Sequence, residues 1–337
     1  MMYRLFCLGF ICFWGLLGFG ILAFSYTNGE SISLANSLDE GYQQIRLKNY
    51  TSEGKEKNLS YRVPIKRVLS TYPGATEVLI QLGLAQHIVG TVAPYGSEPL
   101  VYRQRYAALP LISAPYVPTR EEVLALHPDL VIGWSHHFNP DALGSITYWN
   151  HRGINTYIVP ATVRRGHPSL ENTVYPFIAD MGVLFGAKER AETYISQLKR
   201  RVQQVTDKQD KLGKKPSVII LQSYGQGKYS LYGPTYIIDD VVSKAGGKNL
   251  VRKQMSSVGP EHVLAFDPDY IIYVYLDKEG TTKLEAIKAL EADRALSHMT
   301  AIQKKRIIPV SFSDVNNGNG RLVDALEDIA AGFQENR

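Results

Sequence analysis

Thirteen residues of this chain, REEVLALHPDLVI (Arg120 to Ile132), return 140 positions later as PEHVLAFDPDYII (Pro260 to Ile272). Both copies place a glutamate at the second position, Val-Leu-Ala two residues on, then Pro-Asp and an apolar run. Val, Leu and Ala at that spacing bury one side of a short helix, proline ends it, and the aspartate turns the chain into a buried strand. A unit repeated at such an offset in a 337-residue chain points to two lobes built alike.

The surrounding pattern repeats as well. KRVLST reads as a strand, Ala75 to Leu82 as a helix with Ala75, Val78, Leu79 and Leu82 on one face, and HIVGTV as a second strand. Glu121 to Leu126 is a short helix, and DLVIGW and NTYIVP are further strands. After Pro216 the alternation resumes with SVIILQSY, a helix from Tyr236 to Ala245, DYIIYVY, RIIPV, the loop NNGNG and a closing helix from Arg321 to Phe333. Strands alternating with helices favour a parallel sheet covered by helices. Between the blocks, Ser169 to Leu212 carries apolar residues only at helical spacing. It reads as one long helix, or two in line, of about 60 Å, with Gly182 and Gly186 weakening but not stopping it. The expected fold class is therefore α/β, two Rossmann-like lobes with mostly parallel sheets joined by a single long helix.

The N-terminus narrows the setting. Arg4 precedes an uncharged apolar run from Leu5 to Phe24, which fits a secretory signal or a membrane anchor over 1–25. Either would place the rest outside the cytoplasm. Both cysteines, Cys7 and Cys12, lie in that run, so the remainder has no disulfide or thiolate metal site. Residues 26–60 are polar and read as a tether, with lobes over 61–168 and 213–337 and the connecting helix over 169–212. The net charge of +5 is mild, and neither Lys214-Lys215 nor the triplet Lys304 to Arg306 is cluster enough for nucleic acid. The chain has no G-x-S-x-G, H-E-x-x-H or P-loop, and its glycine pair Gly225 and Gly227 is no dinucleotide fingerprint, so an enzyme is not expected.

With these residues in place, the stretch from Arg67 to Phe333 resembles the substrate-binding proteins of ABC importers that handle iron chelates, haem and cobalamin. The stretch RVLSTYPGATEVLIQLGLAQHIVGTV, the two E-x-V-L-A-x-x-P-D units and the long helix carry the resemblance. It implies two lobes about a ligand cleft, a partner permease and ATPase, no cofactor and no bond broken. It also implies that Glu121 and Glu261 stand on the outer surfaces of their lobes and dock onto permease arginines. Physics suits that role, because arginine reads a carboxylate through forked, charge-assisted hydrogen bonds.

Ligands of open α/β sheets bind beyond the carboxyl ends of the strands. The candidates there are Tyr72, Tyr95, Tyr116, Trp134, His136, Arg164, Tyr224 and Tyr232, with Tyr229, His137, Arg165, His167 and the segment from Asn316 to Arg321 beside them. Flat rings with a polar tip suit a bulky chelate or macrocycle, and the chain has 21 Tyr, many at these ends. Arg164 suits ligand carboxylates or a negatively charged ferric chelate. In the cobalamin-binding members a tryptophan after the P-D-L-V-I strand lines the cleft, and Trp134 occupies that position. His136 and His137 are adjacent, so their side chains should point apart rather than share one ion. A ferric siderophore is the leading expectation, with haem, cobalamin or an anchored sensory role as alternatives. The stiff helix suggests a small hinge movement on binding.

Overall fold

The computed structural model describes residues 42–94, 100–113, 117–211, 213, 215–276 and 281–335. The apolar run, most of the tether, Tyr95 and Tyr116 lie outside them. Among the described residues no helix is long and apolar enough to cross a membrane.

The end of the expected tether is in fact a hairpin, β1 (Gln43–Tyr50) paired antiparallel with β2 (Glu56–Val63). Alternate residues bury one face: Asn49 on β1, and Leu59, Tyr61 and Val63 on β2. Interleaved charges hid this period of two in the sequence. The Asn49 side chain accepts from the Ile158 N–H at 2.8 Å and donates to its carbonyl at 3.0 Å, and Tyr61 donates to the Thr156 carbonyl at 3.0 Å. The hairpin thus satisfies an otherwise open sheet edge.

Lobe 1 is a four-stranded, all-parallel sheet of β3 (Val68–Ser70), β4 (Ile88–Thr91), β5 (Leu130–Gly133) and β6 (Asn155–Ile158), in the order β4-β3-β5-β6. Its helices are α1 (Pro73–Gln81), α2 (Leu100–Ala107), α3 (Arg120–Ala125) and α4 (Ile146–Asn150). Two helices follow, α5 (Tyr175–Leu184) and α6 (Lys188–Asp210), and α5 is entered through a wide turn at Leu170–Val174.

The connection differs from the expectation. Gly186 sits at φ +66 and ends α5, so the two helices are not in line. A Cβ on Gly182 would lie 2.6 Å from the Ala191 Cβ, whereas nine residues of straight helix rise about 13 Å. The chain therefore bends back, and the connector proper is the 23-residue α6, about 35 Å long. Its first turns touch lobe 1 through Arg190, which donates to the Gly83 carbonyl. Its later turns hold lobe 2, where Arg201 meets Asp324 at 2.5 Å and Glu327 at 2.7 Å.

Lobe 2 has six strands: β7 (Ser217–Gly225), β8 (Lys228–Leu231), β9 (Lys248–Asn249), β10 (Met255–Val258), β11 (Tyr270–Tyr275) and β12 (Ile307–Ser311). β9, β11 and β12 extend β7 in parallel, while β8 pairs antiparallel with both β7 and β10. Its helices are α7 (Ile237–Lys244), α8 (Pro260–Leu264), α9 (Lys283–Glu291), α10 (Thr300–Gln303), α11 (Phe312–Asn316) and α12 (Arg321–Glu335).

The repeated unit does the same work in both lobes. Residues 121–130 and 261–270 share one pattern of buried and exposed positions. Asp129 accepts from the backbone N–H groups of Lys66 and Arg67, both at 2.9 Å, and so fixes the chain entering β3. Asp269 accepts from the Ser217 N–H and hydroxyl, both at 2.8 Å, and fixes β7. One continuous apolar core runs from lobe 1 through α5 and α6 to one face of the lobe 2 sheet, and a second core fills the other face.

Candidate functional site

The carboxyl ends of β3, β5 and β6 face the corresponding end of lobe 2, and the two meet through named side chains. Tyr72, just after β3, is fully buried, and its hydroxyl donates to the Asn316 carbonyl of lobe 2. Its ring stands edge-on to Trp134, with centroids 5.6 Å apart. Trp134 follows β5 and packs edge-on against exposed His136 at 4.9 Å. Arg164, beyond β6, lies 3.8 Å over the Tyr236 ring of lobe 2. Tyr236 packs on Tyr232 at 4.7 Å, and Tyr232 donates to Gln222 at 2.5 Å. The Tyr224 hydroxyl also reaches Gln222, at 3.2 Å, and Ser230, at 3.1 Å. A band of rings with one guanidinium thus crosses from lobe to lobe.

Of the eight ligand candidates, the structure brings six into this band: Tyr72, Trp134, His136, Arg164, Tyr224 and Tyr232. Tyr95 and Tyr116 lie outside the described residues. Tyr229 is instead buried in lobe 2, where it donates to Asp293 at 2.5 Å. Arg165 turns away and donates to the Glu53 carbonyl of the hairpin loop. Tyr236 and Gln222 join the band, although sequence reading had placed Tyr236 only at the start of a helix and Gln222 inside a strand. Tyr236 precedes α7, so its place among strand-end aromatics was the available signal.

The two histidines do not point apart: they sit on a single tight turn, Ser135–Phe138, rather than on a strand, and their rings pack edge to face with centroids 4.6 Å apart. His137 is buried, with Nδ1 2.9 Å from the Thr71 hydroxyl. Burial, with His136 adding repulsion, pushes its pKa down to about 3, so it stays neutral. His136 is shifted down as well, by partial burial first and by Arg164 second. A neutral imidazole facing the junction could serve as a donor, an acceptor or a metal ligand. Among the described residues no three His, Cys, Asp or Glu side chains gather as a metal site.

The space enclosed at the junction by Arg164, Tyr232, Thr235, Tyr236 and Asn316 is about 20 Å³, room for about one water. Ligand pockets for drug-sized molecules run from about 300 to 1,000 Å³, so a bulky guest must part the lobes here. Three buried polar atoms at this junction have no hydrogen-bond partner: the Trp134 indole N–H, the Thr235 hydroxyl and the Asn316 side-chain amide. Each such group costs about 1–3 kcal/mol, and a polar guest between the lobes could satisfy it.

Beneath the band lies a buried polar cluster that the sequence did not reveal. Glu77 of α1 is paired with Arg321 of lobe 2 at 3.1 Å, with side chains only 2% and 7% exposed. Asn319 donates to Glu77 at 2.6 Å and Asn317 at 3.2 Å, and Asp314 holds the far side of Arg321 at 2.5 Å. The segment from Asn316 to Arg321, a candidate ligand loop on sequence grounds, is thus mainly a latch onto lobe 1. Gly74 is needed there, because a Cβ would fall 1.8 Å from the Asn317 carbonyl oxygen.

Glu121 and Glu261 are both exposed, each in the first turn of its short helix. Arg120 donates to the Pro140 carbonyl, in the segment following β5, so the start of α3 lies at the carboxyl-end level of the sheet. The capping box at α3 is made by Thr119 with Glu122, which leaves the Glu121 carboxylate outside it. Glu261 is 2.9 Å from the His262 ring, and its pKa is lowered chiefly by its own backbone N–H.

The chain matches the periplasmic binding protein family over residues 68–311. An uncharacterized ABC transporter substrate-binding lipoprotein, YvrC of Bacillus subtilis, is 24% identical over 269 residues, 79% of each chain. The high-affinity heme uptake system protein IsdE of Staphylococcus aureus is 24% identical over 247 residues, 72% of this chain and 77% of its own. The solved structure of an ABC-type Fe3+-hydroxamate transport system from Saccharomonospora viridis superposes with a TM-score of 0.68 at 21% identity, covering 86% of this chain and 98% of that one. The match spans most of both lobes and the helix between them, and the chain belongs to the periplasmic binding protein family.

Proposed function

We propose that the protein is the extracytoplasmic substrate-binding component of an ABC importer, taking up a ferric siderophore between its lobes and passing it to a permease and ATPase. The aromatic and arginine band across the junction, with its three unpartnered polar atoms, carries this reading. Rings stack on an apolar or aromatic chelate, while Arg164 offers forked donors to anionic oxygens. The likeness to an Fe3+-hydroxamate transport system supports the ligand class. Haem is the second reading, favoured by the exposed, neutral His136 beside Trp134 and by the kinship with a heme uptake protein. Glu121 and Glu261, one on each lobe, are the surface carboxylates a permease would grip.

The test is ligand titration of the chain from Tyr26 onward, which keeps Trp134 and buried Trp149 as its tryptophans. Ferric hydroxamate or catecholate chelates should quench fluorescence stoichiometrically, and Trp134→Phe should abolish most of the signal. Haem binding with a Soret shift that His136→Ala removes would favour the second reading. Quenching by neither ligand nor cobalamin would refute the proposal.

A further inference from the structure

The hairpin that replaces the expected tether is rich in basic side chains. From Gln43 to Lys66 there are six basic side chains, Arg46, Lys48, Lys55, Lys57, Arg62 and Lys66, against Glu53 and Glu56. That is a surplus of four basic charges. All six basic residues are exposed. The register sets Gln44 opposite Arg62, Arg46 opposite Ser60 and Lys48 opposite Asn58, all on the face turned away from lobe 1. Glu56 is the one acidic residue on that face and pairs with Lys48 at 2.5 Å. Arg62 and Lys66 both lie over the Tyr42 ring, at 4.2 and 4.4 Å. The opposite face is spent on lobe 1, so this basic face is the one presented outward.

The chain reaching Tyr42 comes from the apolar run that ends at Phe24, with seventeen residues between them. Even fully extended, seventeen residues reach at most about 60 Å. Among the described residues, this basic hairpin is the element nearest in sequence to the apolar run. We propose that the outer face of the hairpin docks on an anionic phospholipid surface, holding lobe 1 against the membrane. Basic residues are attracted to such a surface within about a Debye length. The inference is independent of which ligand the lobes bind.

The test uses Asn36 to Arg337, the compact unit that contains both cores and the hairpin, so that the apolar run cannot insert by itself. Co-sedimentation is measured with phosphatidylcholine vesicles, with and without phosphatidylglycerol. Binding is expected only to the anionic vesicles, and it should vanish near 1 M salt, where the screening length falls to about 3 Å. The variant Arg46→Gln/Lys48→Gln/Arg62→Gln should bind about fivefold more weakly per charge removed, on the order of 100-fold in all. A control with the same charge removed elsewhere, Lys253→Gln/Lys304→Gln/Lys305→Gln, should bind nearly as wild type. Melting curves of all three proteins check that each is folded. Equal losses in the two variants would overturn the proposal, as would equal binding to neutral vesicles or none to anionic ones. Self-association through the hairpin without lipid binding, seen by sedimentation velocity, would overturn it too.

Discussion

Replacing Arg321 with Met removes the guanidinium that pairs with Glu77 across the lobe junction while keeping most of the side-chain volume. Glu77 would keep only the Asn317 and Asn319 amides, at 3.2 and 2.6 Å, in a site where its side chain is 2% exposed. Breaking a buried ion pair from one side costs about 3–5 kcal/mol, because the remaining charge stays desolvated. Burial already raises the Glu77 pKa, and Arg321 is the strongest of the groups holding it down. Without Arg321 it rises further. A carboxyl whose folded pKa exceeds its unfolded one stabilises the protein when protonated, and that stability is lost as pH rises through the folded pKa. The penalty of Arg321→Met should therefore be full near pH 8 and shrink toward pH 5. Urea denaturation across that range measures it, and the double variant Glu77→Gln/Arg321→Met should recover at least about 2 kcal/mol at high pH. A penalty under about 1 kcal/mol, or one that does not vary with pH, would show that the pair does not hold the lobes as argued.

Other outcomes are equally open to measurement. Arg164→Ala should weaken binding of an anionic ferric chelate by on the order of 10–100-fold in fluorescence titration, with little change in melting temperature. Gly74→Ala places a methyl against the Asn317 carbonyl and should cost about 1–3 kcal/mol in urea, the lobes being wedged apart. Asp180, which accepts from the Tyr157 hydroxyl at 2.7 Å near Tyr50 and Tyr61, has its pKa raised by burial to about 6. Its ionisation costs stability as pH rises from about 4 to 6, so Asp180→Asn should stabilise the protein by up to about 3 kcal/mol near pH 8 and by almost nothing below about pH 4. Glu121→Ala/Glu261→Ala should leave ligand binding by the purified protein unchanged and abolish uptake by cells that carry the importer.

Features written locally were legible in the sequence. The duplicated unit gave two matching helix–strand pairs because Val123 and Val263, the prolines and the aspartates each act within a few residues of chain or on the next strand. Gly186 was misread because a glycine in a helical pattern looks alike whether it continues the helix or adopts φ +66. The hairpin was missed because only one of its faces is apolar and lysines dilute that period. The latch could not be read at all. Glu77 and Arg321 stand 244 residues apart, and periodicity tells which face of α1 is buried but not what covers it.

That distant pairing bears on how a guest could enter. The contacts at the band, Tyr72 to Asn316 and Arg164 to Tyr236, join partly polar groups around a space of about 20 Å³ and leave three polar atoms unsatisfied. The latch beneath is the reverse case: Glu77 accepts from three lobe 2 side chains in a buried site. Opening the band exposes groups that water or ligand can satisfy, whereas opening the latch strands a carboxylate at a cost of about 3–5 kcal/mol. The apolar core that runs unbroken through α6 resists separation for the same reason. Motion should therefore pivot about the latch and α6 and widen only at the band, a small rotation rather than a wide parting. Arg321→Met, which weakens the pivot and leaves every band residue in place, should then enlarge the radius of gyration measured by X-ray scattering. Gly186→Ala, a change away from both latch and band, should not.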